Sequence, residues 1–134
     1  LRKLIKQDGV EWCGRIGQQQ IAQELAKADV MLYPPPHEFR ETYGIVFLEA
    51  QAAGCLCFYR KNGALGETIG DKGIALELNA SPQDIVSIIQ KSLDNDQCAI
   101  IRERAKKFAL ARTWDKQADK FLRLYKIIEE ERSG

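Results

Sequence analysis

The run VMLYPPPHEFRETYGIVFLEAQAAGCLCFY, from Val30 to Tyr59, decides the fold. It opens on the apolar residues Val30 to Tyr33, halted by Pro34-Pro35-Pro36. A short, wholly apolar run of this kind suits a strand buried on both faces in a parallel sheet. A polar loop follows, His37 to Thr42, and then Tyr43 to Ala53, an apolar, alanine-rich segment closed by Gly54. Its length, its alanines and its glycine stop favour a buried helix over a strand. Cys55 to Tyr59 reads as the next strand.

The same alternation extends in both directions. Upstream, Gln18 to Ala28 carries Ile21, Ala22, Leu25 and Ala28 on one helical face. Val10 to Cys13, closed by Gly14, reads as a further short strand. Leu1, Leu4 and Ile5 recur at helical spacing before the Asp8-Gly9 stop. Downstream, Gly73 to Leu78 reads as a strand. Ser81 is an N-cap, with Pro82 at the first helical position and Asp84 two residues on. Ile85, Ile89 and Leu93 mark the apolar face of that helix. A second helix covers about Gln97 to Ala111. A third runs from Thr113, with Trp114, Ala118, Phe121, Leu122, Tyr125 and Ile128 at helical spacing, most simply a packing stripe. The fold class is therefore α/β: a Rossmann-like parallel sheet with helices on both faces. Residues 1–112 form the α/β core and 113–134 the C-terminal helix. Ligands bind such sheets outside the carboxyl ends of the strands. This singles out the loops Gly14 to Gly17, Pro34 to Thr42 and Arg60 to Gly66.

Composition bounds the function. The chain has 134 residues, is 45% hydrophobic and 29% charged, and sets 20 Lys plus Arg against 19 Asp plus Glu. That length fits one domain. The formal net charge of +1 gives no global pull toward nucleic acid or an acidic membrane. Apolar stretches such as Ile45 to Leu48 fall far short of the roughly 20 residues that cross a bilayer. Leu1 to Gly9 is charged and amphipathic, unlike a secretion signal. The cysteines Cys13, Cys55, Cys57 and Cys98 match neither a disulfide scaffold nor a zinc motif. They read as small, buried, reduced thiols on strands, in an intracellular protein.

The chemistry concentrates around α-helical Glu49 and the loop residue Glu41. An ionised carboxylate inside an apolar helix is costly unless it is paired. Glu49 thus calls for a protein donor or a ligand hydroxyl, the alternative being a Glu on a less buried face. With a rise of about 1.5 Å per residue, it lies roughly 9 Å along the axis from Tyr43. That is too far for the two carboxylates to share a metal or a proton. They suit two ends of one extended ligand. Between them, the helix start at Tyr43-Gly44-Ile45 offers N–H groups and a positive dipole end to an anion, and Gly44 permits close approach. Carboxylate, anion site and carboxylate in that order fit a polyhydroxylated diphosphate such as a nucleotide sugar.

Glu41-Thr-Tyr-Gly-Ile-Val-Phe-Leu-Glu49-Ala-Gln-Ala-Ala-Gly54 resembles the Glu-x7-Glu motif of retaining GT-B glycosyltransferases of the family 4, or group 1, type. Val10-Glu-Trp-Cys-Gly14 resembles the strand and glycine that open the base-binding loop. Ala28-Asp-Val-Met-Leu-Tyr-Pro34 resembles the strand before the motif. Asn62-Gly-Ala-Leu-Gly-Glu67 resembles the Gly-Gly-x-Pro-Glu loop, with Ala64 and Gly66 departing from it. The likeness spans about Val10 to Leu78, with a weaker match through Trp114.

The resemblance implies roles. Glu41 is the catalytic candidate, contacting the donor sugar near the reacting carbon, and Glu49 takes the ribose hydroxyls. The amides of Gly44 and Ile45 hold the diphosphate, with Thr42, Tyr43 and Val46 in the same binding segment. Gly14, Arg15 and Ile16 contact the base. Transfer by such enzymes retains anomeric configuration, with no cofactor and no metal. The resemblance places a first strand and helix of the domain, the acceptor-binding domain, and the basic residues that help the diphosphate leave, all upstream of Leu1. It implies a hexosyl transfer to a glycan or lipid precursor of the cell envelope. It also implies a cytoplasmic site, with any peripheral membrane association made through the upstream domain, and an isolated fragment without activity.

Other residues weigh less. His37 is more simply a turn or rim residue than a general base. Arg60 and Lys61 read equally as phosphate contacts or as a solvated loop pair. Gly14-Arg-Ile-Gly17 falls short of a dinucleotide fingerprint. Glu129-Glu-Glu-Arg132 is most simply a solvated helix end. Two readings stand: the donor-binding domain of a retaining glycosyltransferase, or a non-catalytic α/β module that binds a nucleotide or sugar phosphate on the same fold.

Overall fold

The computed structural model describes residues 7–35, 38 and 40–133. Helix α1 (Gln18–Lys27) leads into β1 (Val30–Tyr33), then α2 (Ile45–Ala53), β2 (Leu56–Arg60) and a short α3 (Leu65–Thr68). A 3₁₀ turn, Gly70–Lys72, precedes β3 (Ile74–Leu76) and the helices α4 (Pro82–Leu93), α5 (Asp96–Leu110) and α6 (Trp114–Ser133). The strands form one parallel sheet in the order β1-β2-β3, with Val30 opposite Leu56 and Phe58 opposite Ile74. The expected α/β class and parallel sheet are what the chain adopts.

Strand β2 is central, and its side chains alternate between two cores. Cys57 and Tyr59 join Phe47, Ala50, Leu65 and Ile69 on one face. Leu56 and Phe58 join Leu76, Ile85 and Cys98 on the other. Tyr33 and Tyr59 meet the edge of Phe47 with ring centroids 5.8 and 6.3 Å away, the favoured T-shaped geometry. Ser81 caps α4 as its sequence suggests: its hydroxyl accepts from the Asp84 N–H at 3.2 Å, and the Asp84 carboxylate accepts from the Ser81 N–H at 3.0 Å. Because the strands are parallel, Tyr33, Arg60 and Leu76 all end at one edge of the sheet.

Several expectations are corrected. Val10–Cys13 is not a strand; Val10 and Trp12 are 48% and 63% exposed. Four residues cannot hold a strand without a neighbouring ladder, and among the described residues none pairs with them. Helix α2 starts at Ile45 rather than Tyr43, because Gly44 sits in the left-handed region with φ 72°. The downstream strand is shorter than expected, Ile74–Leu76. Trp114, Phe121 and Tyr125 do not form a packing stripe among the described residues, being 79%, 61% and 63% exposed. Of the cysteines, only Cys57 is a strand residue; Cys55 and Cys98 are buried off strands, and Cys13 is exposed. The helical spacing at Leu1, Leu4 and Ile5, and the residue His37, lie outside the described residues. Among the described residues, no helix is long and apolar enough to cross a membrane.

Candidate functional site

The loop from β1 to α2 and the loop from β2 to α3 meet at Glu41. The Ala64 N–H donates to the Glu41 carbonyl at 3.0 Å, and the Thr42 N–H donates to the Glu41 carboxylate at 3.1 Å. Glu41 is half-buried. Next to it Gly44 is buried, and a side chain there would place its Cβ 2.7 Å from Leu65 Cδ2 and 3.1 Å from Phe47 Cδ2. Packing of α3 against α2 fills the side on which a Gly44 side chain would stand. Glycine is needed for this packing and for the positive φ.

Helix α2 leaves its first amides without intrahelical partners, as every helix does. The Phe47 N–H reaches back to the Gly44 carbonyl at 2.9 Å, which leaves Ile45 and Val46 at the positive end of the helix. Ile45 and Thr42 are exposed, and Val46 is half-buried. Tyr43 is also exposed, and its hydroxyl accepts from Arg112 Nη1 at 3.1 Å. The Arg112 guanidinium lies 4.1 Å from the centroid of the Phe108 ring, a cation–π contact that fixes it at the turn before α6.

Glu49 projects half-buried from α2, between two cavities. One, of about 220 Å³, is lined by Tyr43, Ile45, Glu49, Arg112, Trp114 and Gln117 among others. The other, of about 390 Å³, lies between α1 and α2, with Gln18, Ile21, Leu25, Glu49 and Ala53 in its wall. Glu49 forms no hydrogen bond or ion pair with another described residue. Gly14 and Arg15 are exposed and Ile16 is half-buried, in the loop that runs into α1 at Gln18. These three residues line neither cavity, but the first residue of α1 does. Glu41 lines neither of these two cavities.

Reading the sequence missed Arg112 and Gln117. Neither lies in a motif; α5 packs on α2, and Arg112 after it and Gln117 in α6 line the cavity that Glu49 also lines. It also left Arg60 open. Arg60 is half-buried rather than a solvated loop residue: Nη1 donates to the Pro35 carbonyl and Nη2 to the Ala80 carbonyl, each at 3.2 Å. Lys61 is exposed.

A parallel α/β sheet with an acidic loop and a helix N-terminus at the carboxyl ends of its strands is the arrangement in which open α/β domains take their ligands. The chain belongs to the group 1 glycosyltransferases: the sequence profile of the family described as "Glycosyl transferases group 1" matches residues 1–110. Among solved structures it is similar to a sucrose-phosphate synthase from Thermosynechococcus elongatus, with 21% identity and a TM-score of 0.78. The alignment covers 97% of this chain and 34% of that one, so the chain spans about a third of that protein's length. That likeness shows a shared Rossmann-like GT-B fold. A search of curated proteins returned no match.

Proposed function

We propose that this domain binds a nucleoside-diphosphate sugar for a retaining glycosyltransferase. The observation that carries the reading is Glu49, a half-buried carboxylate and the one charged residue of α2, flanked by two cavities and given no described protein partner. Ribose hydroxyls supply the donors it lacks, and hydrogen bonds to a charged group are worth about 1.5–3 kcal/mol each. The Ile45 and Val46 amides at the positive end of α2 take the diphosphate. Thr42 and Tyr43 flank it, and Glu41 contacts the sugar near its reacting carbon. The loop of Gly14, Arg15 and Ile16, which runs into Gln18, contacts the base.

In this reading the acceptor, a glycan or lipid precursor, is held by another domain of a cytoplasmic enzyme of cell-envelope synthesis. The cations that help the diphosphate leave come from that domain, because Arg60 is occupied by carbonyls. Titration with UDP, GDP and ADP tests the reading: one of them should shift amide resonances at Arg15, Ile45 and Glu49. No binding of any nucleotide overturns it. Glu49→Ala should weaken the bound nucleotide about tenfold or more. Unchanged affinity would remove the ribose assignment.

A further inference from the structure

The end of β2 and the β2–α3 loop bond to the chain at two described points, Pro35 and Glu41. At the near end, Arg60 Nη1 donates to the carbonyl of Pro35, a buried residue just past β1. Arg60 Nη2 donates to the carbonyl of Ala80, just before the Ser81 cap of α4. One guanidinium, itself at the end of β2, thus ties together the exits of all three strands. At the far end, the Ala64 N–H donates to the Glu41 carbonyl. Gly63, with φ 63°, lies so close that a Cβ would strike the Glu41 carbonyl oxygen and sit 3.0 Å from its nitrogen. Between the two anchors, the Asn62 N–H closes a tight turn onto the Arg60 carbonyl at 2.7 Å. The anchors are therefore separated by a turn with little slack.

We infer that Arg60 and Gly63 are positioning residues that fix the placement of the Glu41 carboxylate, and with it the recognition of the donor's sugar rather than its nucleotide. The inference rests on the proposed donor-binding role. Three features support it. The guanidinium has no carboxylate partner among the described residues, and its Nε is buried without a hydrogen-bond partner. Arg60 is half-buried, and a cation partly withdrawn from water with only carbonyl acceptors is costly to hold, so an ordinary apolar or small polar residue would be an easier occupant of the site. The fork of the guanidinium reaches two carbonyls at once, which a single ammonium does not match. Finally, both contacts end on the backbone leading to Glu41 or on the neighbouring strand exit, and none on Glu49 or the α2 amides.

The test compares Arg60→Met, Arg60→Lys and Gly63→Ala with the unaltered protein. Two readouts are needed: affinity for a nucleotide sugar against its own nucleoside diphosphate (UDP-glucose and UDP, GDP-mannose and GDP, ADP-glucose and ADP), and hydrogen exchange at the Ala64 amide. Arg60→Met and Gly63→Ala should weaken the nucleotide sugar about tenfold while leaving the nucleoside diphosphate within about twofold. Both should speed exchange at Ala64, and Arg60→Lys should fall between them and the unaltered protein. Equal weakening of sugar nucleotide and nucleoside diphosphate, or unchanged exchange at Ala64 in both variants, would overturn the inference. If Arg60→Met does not fold, Arg60→Lys, which keeps a cation at the end of β2, decides by the same two readouts. If the unaltered protein binds no nucleotide, the proposed function falls, and the Ala64 exchange still decides whether this loop sets Glu41.

Discussion

Helices α2 and α6 are both rich in apolar residues, yet they meet opposite fates. Helix α2 is 9 residues long and buries Phe47, Ala50 and Gln51 against the sheet, α3 and α5. Helix α6 is 20 residues long, and its stripe of Trp114, Phe121, Tyr125 and Ile128 is 79%, 61%, 63% and 41% exposed. Helical spacing fixes which side chains share a face; it does not say what covers that face. For α2 the cover is the central strand, which lies next to it in sequence, together with α1 and α5. For α6 no described element supplies it. Stability should therefore be concentrated in α2 and its neighbours.

The largest expected effect breaks the α2 side of that contrast. Phe47 is fully buried between Tyr33 and Tyr59. Phe47→Ala should cost about 3–5 kcal/mol in chemical denaturation, from lost transfer energy plus a cavity. A cost below 1 kcal/mol would mean that this core is not as packed as it looks. Gly44→Ala comes next. It places a side chain at φ 72°, which costs about 1–2 kcal/mol. It also drives a methyl into Leu65, a further 1–3 kcal/mol or so for overpacking. A near-neutral result would show that α3 can move away from α2 at no cost.

How much of this was legible in the sequence follows from the same contrast. The β1–α2–β2 unit could be read directly, because continuous apolar runs bounded by Pro34 and Gly54 belong to elements that bury themselves against their own neighbours. Ser81 and Pro82 were legible for a similar reason: a cap is a local interaction among adjacent residues. Val10–Cys13 is not a strand because a strand exists only with a partner, and a short run closed by a glycine does not provide one. At Trp114 the helical spacing gives a face and leaves its cover unspecified. In the site, the Glu41–Glu49 spacing was visible in the chain. The strap from Arg60 and the presence of Arg112 and Gln117 beside Glu49 were not, since each depends on contacts between distant segments.

Strand β2 offers a pH-dependent version of the comparison. Desolvation in the core, with a smaller contribution from Cys55, pushes the Cys57 thiol up to about 12. Burial also raises Cys55 and Tyr59. Each raised acid stays protonated in the folded chain at a pH where the unfolded chain has released its proton. Folding stability is thus fully present below the unfolded thiol value of 9.0 and is lost as pH rises toward 12. One such thiol accounts for at most about 1.4 kcal/mol per pH unit. Denaturation midpoints measured across that window should fall, and Cys57→Ala should fall less steeply. Equal slopes would mean that Cys57 reaches solvent without unfolding. The exposed Cys13 gives the internal contrast: it should react with a thiol reagent in the native state while Cys57 stays protected.

The smallest expected effect belongs to α6. Phe121 is 61% exposed, so truncating it removes little buried area and leaves no cavity. Phe121→Ala should change the stability of this domain by no more than about 0.5 kcal/mol, the ordinary range for a surface substitution. Measured beside Phe47→Ala under the same conditions, it sets two phenylalanines on two apolar helices against each other. A cost above about 2 kcal/mol at Phe121 would mean that the stripe is covered after all, and the α2–α6 contrast would then describe incomplete contacts around α6 rather than two kinds of helix.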